Sequence, residues 1–371
     1  MVEDSSSQRI TRLTPLASIL ALVESRVGAV APQKLDLAQA LGCTLAEDVV
    51  AQRLPPHPVA LRDGYGVEAA ALADAGPYMP VLLSSAARRI DVGEALPSGC
   101  DAILPVDGVV LRGGRIEAVA AVAPGEGVLP AGDDATPRMA LRHAGERLRA
   151  IDVAVMAAAG VEAVTVRAPR VGVVSSSTAA SRIVEAARGM LRRAVVEVGG
   201  TLFGKALILV ASLDYEEPDL VIAIGGTGNG WRDDSVRTLA RYGAVEAHGI
   251  ALSPGETAAF GFVGRRPVLL IPGRLDAALA VWLLIGRYLV AKLAGGTLED
   301  RPVMMPLRRK ATSSIGLMEL IPVSCSDGMA EPLTSGYLSF SSLARSDGWI
   351  VIPADSEGFA AGTSVAVRPW P

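Results

Sequence analysis

Four glycines in six residues, Gly225-Gly226-Thr227-Gly228-Asn229-Gly230, follow directly on the apolar run Leu220 to Ile224. Glycine at a strand end lets the backbone turn sharply and approach a ligand closely. Its successive N–H groups suit an anion nest, whereas a plain strand-to-helix connection needs one or two glycines rather than four. Asp233, Asp234 and Ser235 come next, ahead of a helical pattern that stops at Gly243. Short oxygen-bearing side chains at that point are helix N-cap signals. Trp231, beside the loop, either stacks on a flat heterocycle or covers the sheet edge. The chain uses the same device again at Pro272-Gly273, between the apolar run Val268 to Ile271 and a helical stretch from about Leu275 to Leu293. Arg274 stands in the first turn of that helix, where a cation is disfavoured by ~0.3–1 kcal/mol. It either faces a bound anion or pairs locally with Asp276.

Strand, glycine turn and helix N-terminus, used twice, build a crevice at the carboxyl edge of a parallel sheet, where α/β folds take ligands, anionic ones especially. Pro169 opens this region, with Val171 to Val174 as its first strand and a helix from about Ser181 to Val198 closed by Gly199-Gly200. Before it, Met1 to Arg12 reads as a mobile tail. Thr14 and Pro15 read as the N-cap and first turn of a helix whose apolar stripe is Leu16, Ile19, Leu20 and Val23. A second short helix is expected from Leu35 to Leu41. Pro55-Pro56-His57-Pro58 cannot be helix interior. The stretch to about Ala140 is rich in Gly, Pro and short β-branched runs, with a hairpin around Arg112-Gly113-Gly114-Arg115. Leu148 to Ala159 returns to helix and Val161 to Val166 to strand. Val303 to Pro371 shows many short strands and almost no helical period.

The predicted division is therefore a helical and linker domain of residues 1–53 and 141–168, an inserted β domain of 54–140, an α/β domain of 169–299 and a C-terminal β domain of 300–371. A net charge of -4 over 371 residues, with no basic block, argues against nucleic acid. The longest strongly apolar stretch, Ala277 to Ile285, is far short of the ~18 residues a membrane span needs. Met1 to Arg9 lacks the apolar core of a signal peptide. Cys43, Cys100 and Cys325 are isolated, so no disulfide framework is expected and a cytoplasmic location is. His57, His143 and His248 are scattered, which argues against a histidine-built zinc site.

The order of pieces resembles the MoeA / gephyrin E-domain family, the molybdopterin molybdenumtransferases. The resemblance rests on Leu41-Gly42 through Val49, Arg62-Asp63-Gly64-Tyr65, Leu96-Pro97 through Ala102, Gly225-Gly226 with Gly230 and Asp233, Ser253-Pro254-Gly255 with Ala259-Phe260-Gly261, Pro272-Gly273, and Gly336-Tyr337-Leu338 through Gly348. It implies a multi-domain α/β plus β fold: a three-layer, molybdopterin-binding-like α/β domain, an inserted small β domain and a C-terminal β-barrel-like domain, in an elongated homodimer. It implies molybdopterin or its adenylylated form, molybdate and Mg2+ as ligands, and molybdenum-cofactor biosynthesis as the activity. A molybdoenzyme or another cofactor-synthesis protein would be the protein partner. On the matching positions, Asp63 and Asp233 are the catalytic candidates and Asp233 the metal candidate. Gly225, Gly226, Thr227, Gly228, Asn229, Gly230, Asp234, Pro272, Gly273, Arg274, Ser341 and Ser342 are the binding candidates. Each carboxylate also has a plain structural reading: an N-cap for Asp233, an Asx turn for Asp63, an exposed acidic turn for Asp134. Ser341 and Ser342 either reach the cleft or hydrogen-bond a turn.

The sequence departs from the family pattern at most polar positions. Pro58, Val59 and Ala60 replace Asp-Asn-Ser; Asp91-Val92-Gly93 replaces Met-Thr-Gly. Ser175-Ser176-Ser177-Thr178-Ala179 stands for Ser-Thr-Gly-Asp-Glu. Gly228 replaces a loop serine, and Ser253 and Glu256 replace two lysines. Exchanging lysine for Glu256 shifts local charge by two units, each worth ~1 kcal/mol at 4 Å in water and ~4 at an effective dielectric of 20. The alternative function is therefore a catalytically inactive paralogue that serves as a binding or scaffold partner.

Overall fold

The computed structural model describes residues 8–84, 87–176, 181–204, 208–231, 233–298 and 300–370. Ser177, Thr178 and Ala179 of the serine-rich turn lie outside them. The α-helices among the described residues are α1 (Leu16–Arg26), α2 (Ala150–Ala158), α3 (Arg182–Glu197), α4 (Leu209–Asp214), α5 (Ser235–Tyr242), α6 (Leu275–Val281), α7 (Arg287–Leu293) and α8 (Phe340–Arg345). No helix among them is long and apolar enough to cross a membrane. The chain forms two compact units, one from residues 1–47, 144–153 and 163–371, the other from 48–143 and 154–162.

The first unit is organised on a six-stranded sheet. Its order is Thr201–Phe203, Arg170–Ser175, Leu220–Ile224, Arg266–Ile271, Ala259–Val263 and Ala244–His248. The first four strands are parallel and the last two antiparallel. Side chains alternate across a strand, and here both faces are apolar, so the alternation sorts residues into two cores. Leu220, Ile222, Ile224, Leu269 and Ile271 pack on one face with α1, α3, α6 and α7. Val221, Ala223, Val268 and Leu270 pack on the other with α4 and α5. The result is the three-layer α/β domain. The buried stripe of α3, Ala187, Leu191, Ala194 and Val195, follows the helical period. Truncating Leu191 to alanine would cost ~2–5 kcal/mol.

Register brings three strand ends to one edge. Ser175 pairs with Ile224, and Ile224 with Ile271. From Arg170–Ser175 the chain returns to the sheet on one side, and from Leu220–Ile224 on the other, which makes the gap between them a switch point for ligand binding. Ser176 N–H donates to Ile224 O (2.9 Å) and Gly225 N–H to Ile271 O (2.8 Å), so the three connecting turns emerge side by side.

The long helix expected from Leu275 to Leu293 is present, but α6 and α7 are joined by one π-helical turn, Trp282–Gly286. A side chain at Gly286 would lie 2.5 Å from the Trp282 ring, so glycine here makes room for the indole. Beyond it, Leu252–Ser253, Met318–Ser326, Gly348–Ile352, Ser364–Pro369, Val303–Pro306 and Met329–Pro332 form the C-terminal sheet. Its core includes Leu307, Ile321, Val323, Ile350, Ile352 and Val367.

The second unit consists of short antiparallel pairs. The expected hairpin is there, with Val109–Arg112 paired to Arg115–Ala118, over a small core that includes Val67, Leu72, Ala102, Leu104 and Ala118.

Three local expectations are corrected. The stretch predicted as helix from Leu35 to Leu41 is a strand, Gln33–Asp36, paired with Ala163–Arg167 and followed by a single 3-10 turn; the partner strand outweighs local propensity. Thr14 does not cap α1, whose N-cap is Pro15. Its backbone N–H donates to Gly249 O instead (2.9 Å). Within the stretch expected as a mobile tail, Gln8 is held in place, its side chain buried and 7% exposed.

Candidate functional site

At the carboxyl edge of the sheet lies a cavity of about 500 Å³. Ser175 and Ser176 enter from one strand end, Gly225, Gly226, Thr227 and Gly228 from the next, and Pro272, Gly273 and Arg274 from the third. Ser181 and Val184 of the α3 N-terminus, Asp233 and Thr257 complete the described wall. Ser181 is a true N-cap, its Oγ accepting from Val184 N–H (3.3 Å).

The glycine loop is held by its carbonyls. Gly225 O accepts from Ser235 Oγ (2.7 Å). Gly226 O accepts from Ser235 N–H (3.1 Å) and from Gln8 Nε2 (3.0 Å). Thr227 O accepts from His248 Nε2 (2.9 Å), which fixes the proton on that nitrogen. Gly228 O accepts from Gln8 Nε2 (3.1 Å). No described residue accepts from the N–H groups of Gly226, Thr227, Gly228 or Asn229. Gly225 and Gly226 have φ of +95° and +69°, and a side chain at Gly226 would lie 2.3 Å from Ser235 Oγ. Gly228 and Gly230 are small for another reason: the loop wraps the Asp233 carboxylate, whose Oδ2 accepts from Gly230 N–H (2.9 Å).

The N-terminus of α5 is closed. Asp234 is its N-cap residue but makes no side-chain capping bond. Gln8 Oε1 takes that role from 228 residues away, accepting from Val236 N–H (2.8 Å) and Arg237 N–H (3.1 Å). The expectation that this helix end offers donors to a ligand is therefore corrected: a carboxamide satisfies them.

Arg274 makes the local pair. Its Nε and Nη2 donate to the two oxygens of Asp276 (3.1 and 2.5 Å), and its guanidinium lies 5.1 Å from the Tyr337 ring centre. It also lines the cavity, so the two sequence readings are compatible. The Asp276 hydrogen bonds push its pKa further up, burial opposes this, and the charges of Asp276 and Glu256 add to the rise. Glu256 is not a wall residue; its Oε2 accepts from Gly255 N–H (3.0 Å). Arg274 and Asp233 are the charged side chains among the described wall residues, one of each sign.

Other candidates fall outside the wall. Asn229 and Gly230 are exposed loop residues and Asp234 flanks α5. Ser341 and Ser342 cluster around Ser339, the N-cap of α8: Ser339 Oγ accepts from Ser342 N–H (3.1 Å) and bonds both hydroxyls (3.0 and 2.8 Å). Trp231 is 85% exposed, so it does not cover the sheet. In the second unit, exposed Asp63 accepts from Val92 N–H (2.8 Å), and Asp134 sits in an exposed turn. Sequence reasoning missed Gln8, His248 and Thr257, which carry no motif; each is placed by the sheet or by its fit to the loop.

Among the described residues, no three His, Cys, Asp or Glu side chains converge as a metal site. Asp233 brings a single carboxylate, with one oxygen already accepting a backbone N–H. The wall does not fit a carboxylate-held Mg2+. The cysteines are free thiols, each with its pKa raised by burial, and none lines the cavity.

Comparison with known proteins agrees with this architecture. The family described as MoeA N-terminal region (domain I and II) matches residues 14–160, and MoeA C-terminal region (domain IV) matches residues 305–370. A Methanocaldococcus jannaschii protein named for molybdopterin biosynthesis is 26% identical over 375 residues, spanning 90% of this chain and 91% of its own. The molybdopterin molybdenumtransferase of Haemophilus influenzae is 24% identical, over 91% and 93%. The crystal structure of a molybdopterin biosynthesis MoeA protein from Pyrococcus horikosii superposes with a TM-score of 0.71 at 25% identity, over 96% of this chain and 99% of that one. The fold is a multi-domain α/β plus β assembly with a cavity at the carboxyl edge of its parallel sheet, and the chain belongs to the MoeA family.

Proposed function

We propose that this chain binds molybdopterin, or its adenylylated form, in the cavity at the sheet edge and assists molybdate insertion in molybdenum-cofactor biosynthesis. The observation that carries this reading is the run of N–H groups from Gly226 to Asn229 that no described residue accepts from, in a loop that lines the cavity of a MoeA-family chain. Consecutive backbone donors suit a phosphate or pyrophosphate. Arg274 adds one cation at the neighbouring strand end, and Ser181 marks a helix N-terminus on another side. The volume suits a small heterocyclic ligand. Relatives are named as molybdopterin molybdenumtransferases, and the reaction is carried over from them. The homodimer and the four-domain division belong to the same proposal.

A second reading, an inactive paralogue that binds without catalysing, is favoured by the lack of a carboxylate cluster among the described residues and by Ser253 and Glu256 standing where the family pattern has lysines. Complementation separates the two. Restored molybdoenzyme activity in a strain lacking its own MoeA enzyme supports the first. Failure to restore it, with pterin binding intact, moves the chain to the second.

A further inference from the structure

Gln8 belongs to a segment with no motif, yet it makes four hydrogen bonds to residues more than 200 positions away. Its amide nitrogen donates to Gly226 O and Gly228 O, and its oxygen accepts from Val236 and Arg237 N–H. The peptide unit is planar and trans, so each C=O points opposite to the N–H of the following residue. Pinning Gly226 O therefore turns Thr227 N–H away from Gln8, and pinning Gly228 O does the same for Asn229 N–H. His248 acts alike through Thr227 O on Gly228 N–H. The carbonyls of Gly226, Thr227 and Gly228 are thereby held on the protein side, and the N–H groups of Thr227, Gly228 and Asn229 are left unclaimed by any described residue. The same carboxamide consumes the Val236 and Arg237 donors, and Gly226 O takes that of Ser235, so an anion entering the cavity meets the loop amides rather than α5.

We infer that Gln8 is a positioning residue for anion binding: it aims the Thr227 and Asn229 amides of the glycine loop at the ligand's phosphate and withholds the Val236 and Arg237 donors of α5 from it. The inference rests on the anionic-ligand reading of the cavity. It makes Gln8, ahead of α1, a support of the ligand site, although Gln8 itself touches no ligand.

The substitution Gln8→Glu separates this role from a merely structural one. A carboxylate still accepts from Val236 and Arg237 N–H, with the helix dipole in its favour. It cannot donate to Gly226 O and Gly228 O, and repels them. The probe is inorganic pyrophosphate, followed by backbone amide NMR of the full chain. In the unsubstituted protein, pyrophosphate shifts the Thr227 and Asn229 amides and leaves those of Val236 and Arg237 in place. In Gln8→Glu, the α5 amides keep their exchange protection while pyrophosphate affinity falls roughly tenfold or more, the effect of losing one or two such bonds. In Gln8→Ala, the α5 amides lose protection and themselves respond to pyrophosphate. Equal affinity in Gln8→Glu and the unsubstituted chain overturns the inference, as does a pyrophosphate response at Val236 and Arg237 with Gln8 in place. Absence of pyrophosphate binding also overturns it, while titration with molybdopterin decides the pterin reading separately.

Discussion

Arg274, at the wall of the cavity, grips Asp276, a carboxylate 3% exposed that also accepts from Leu338 N–H (3.2 Å). The cavity's cation is thus aimed by a buried acid, which in turn anchors the start of the segment leading into α8. Removing one member of such a set leaves a donor without its partner. Asp276→Ala is expected to destabilise by about 1–3 kcal/mol and to speed amide exchange at Leu338. Asp276→Asn, which keeps the acceptor oxygen, should lose less. The midpoint of urea unfolding and hydrogen exchange at Leu338 check both.

Gly226→Ala should be among the most damaging loop changes. Its φ is +69° and the added carbon would sit 2.3 Å from Ser235 Oγ and 3.1 Å from Ser176 Cβ. A loss of about 1–3 kcal/mol and loss of pterin binding are expected. Gly264→Ala is the control, since its φ is +62° with nothing within 4 Å. It should cost about 1 kcal/mol and leave binding alone.

Asp233 is expected to act through the loop rather than through a metal. Asp233→Asn retains an oxygen for Gly230 N–H and should keep pterin affinity within about threefold; Asp233→Ala should weaken it about tenfold. Removing Mg2+ with a chelator should leave the binding isotherm of the unsubstituted protein unchanged. A strict Mg2+ requirement would contradict the single-carboxylate geometry.

Tyr288 gives a pH signature remote from the site. Burial, then its hydrogen bond to Glu24 and that residue's charge, raises its phenol from the usual 10.0 to about 12. The native state holds this proton more tightly than the unfolded chain. Stability should therefore be fully present below pH 10 and fall as pH rises through about 12. Tyr288→Phe should flatten that part of the stability curve and remove one late-ionising group from the absorbance titration of tyrosinate.

The scaffold was legible because its signals are short-range. The strand at Leu220–Ile224, α5 after Asp234 and the α6–α7 stretch follow from apolar runs, glycine and caps. Glycine loop and Arg274 were legible by the same means. Gln8 was not, since a polar residue in a polar N-terminal stretch has no periodicity; only the loop that receives it gives it a role. The strand at Gln33–Asp36 was misread because its partner, Ala163–Arg167, lies more than a hundred residues away in sequence. Ser341 and Ser342 sit in a well-matched motif, yet their hydroxyls bond Ser339 at the α8 cap, a choice that composition does not reveal.

The most direct measurement is calorimetric titration of the full chain with molybdopterin, repeated on Arg274→Ala. Saturable one-site binding, weakened roughly tenfold or more by the loss of a charge-assisted contact, is the predicted result. No heat of binding up to millimolar ligand, or an affinity indifferent to Arg274, would contradict the assignment of this cavity as the pterin site.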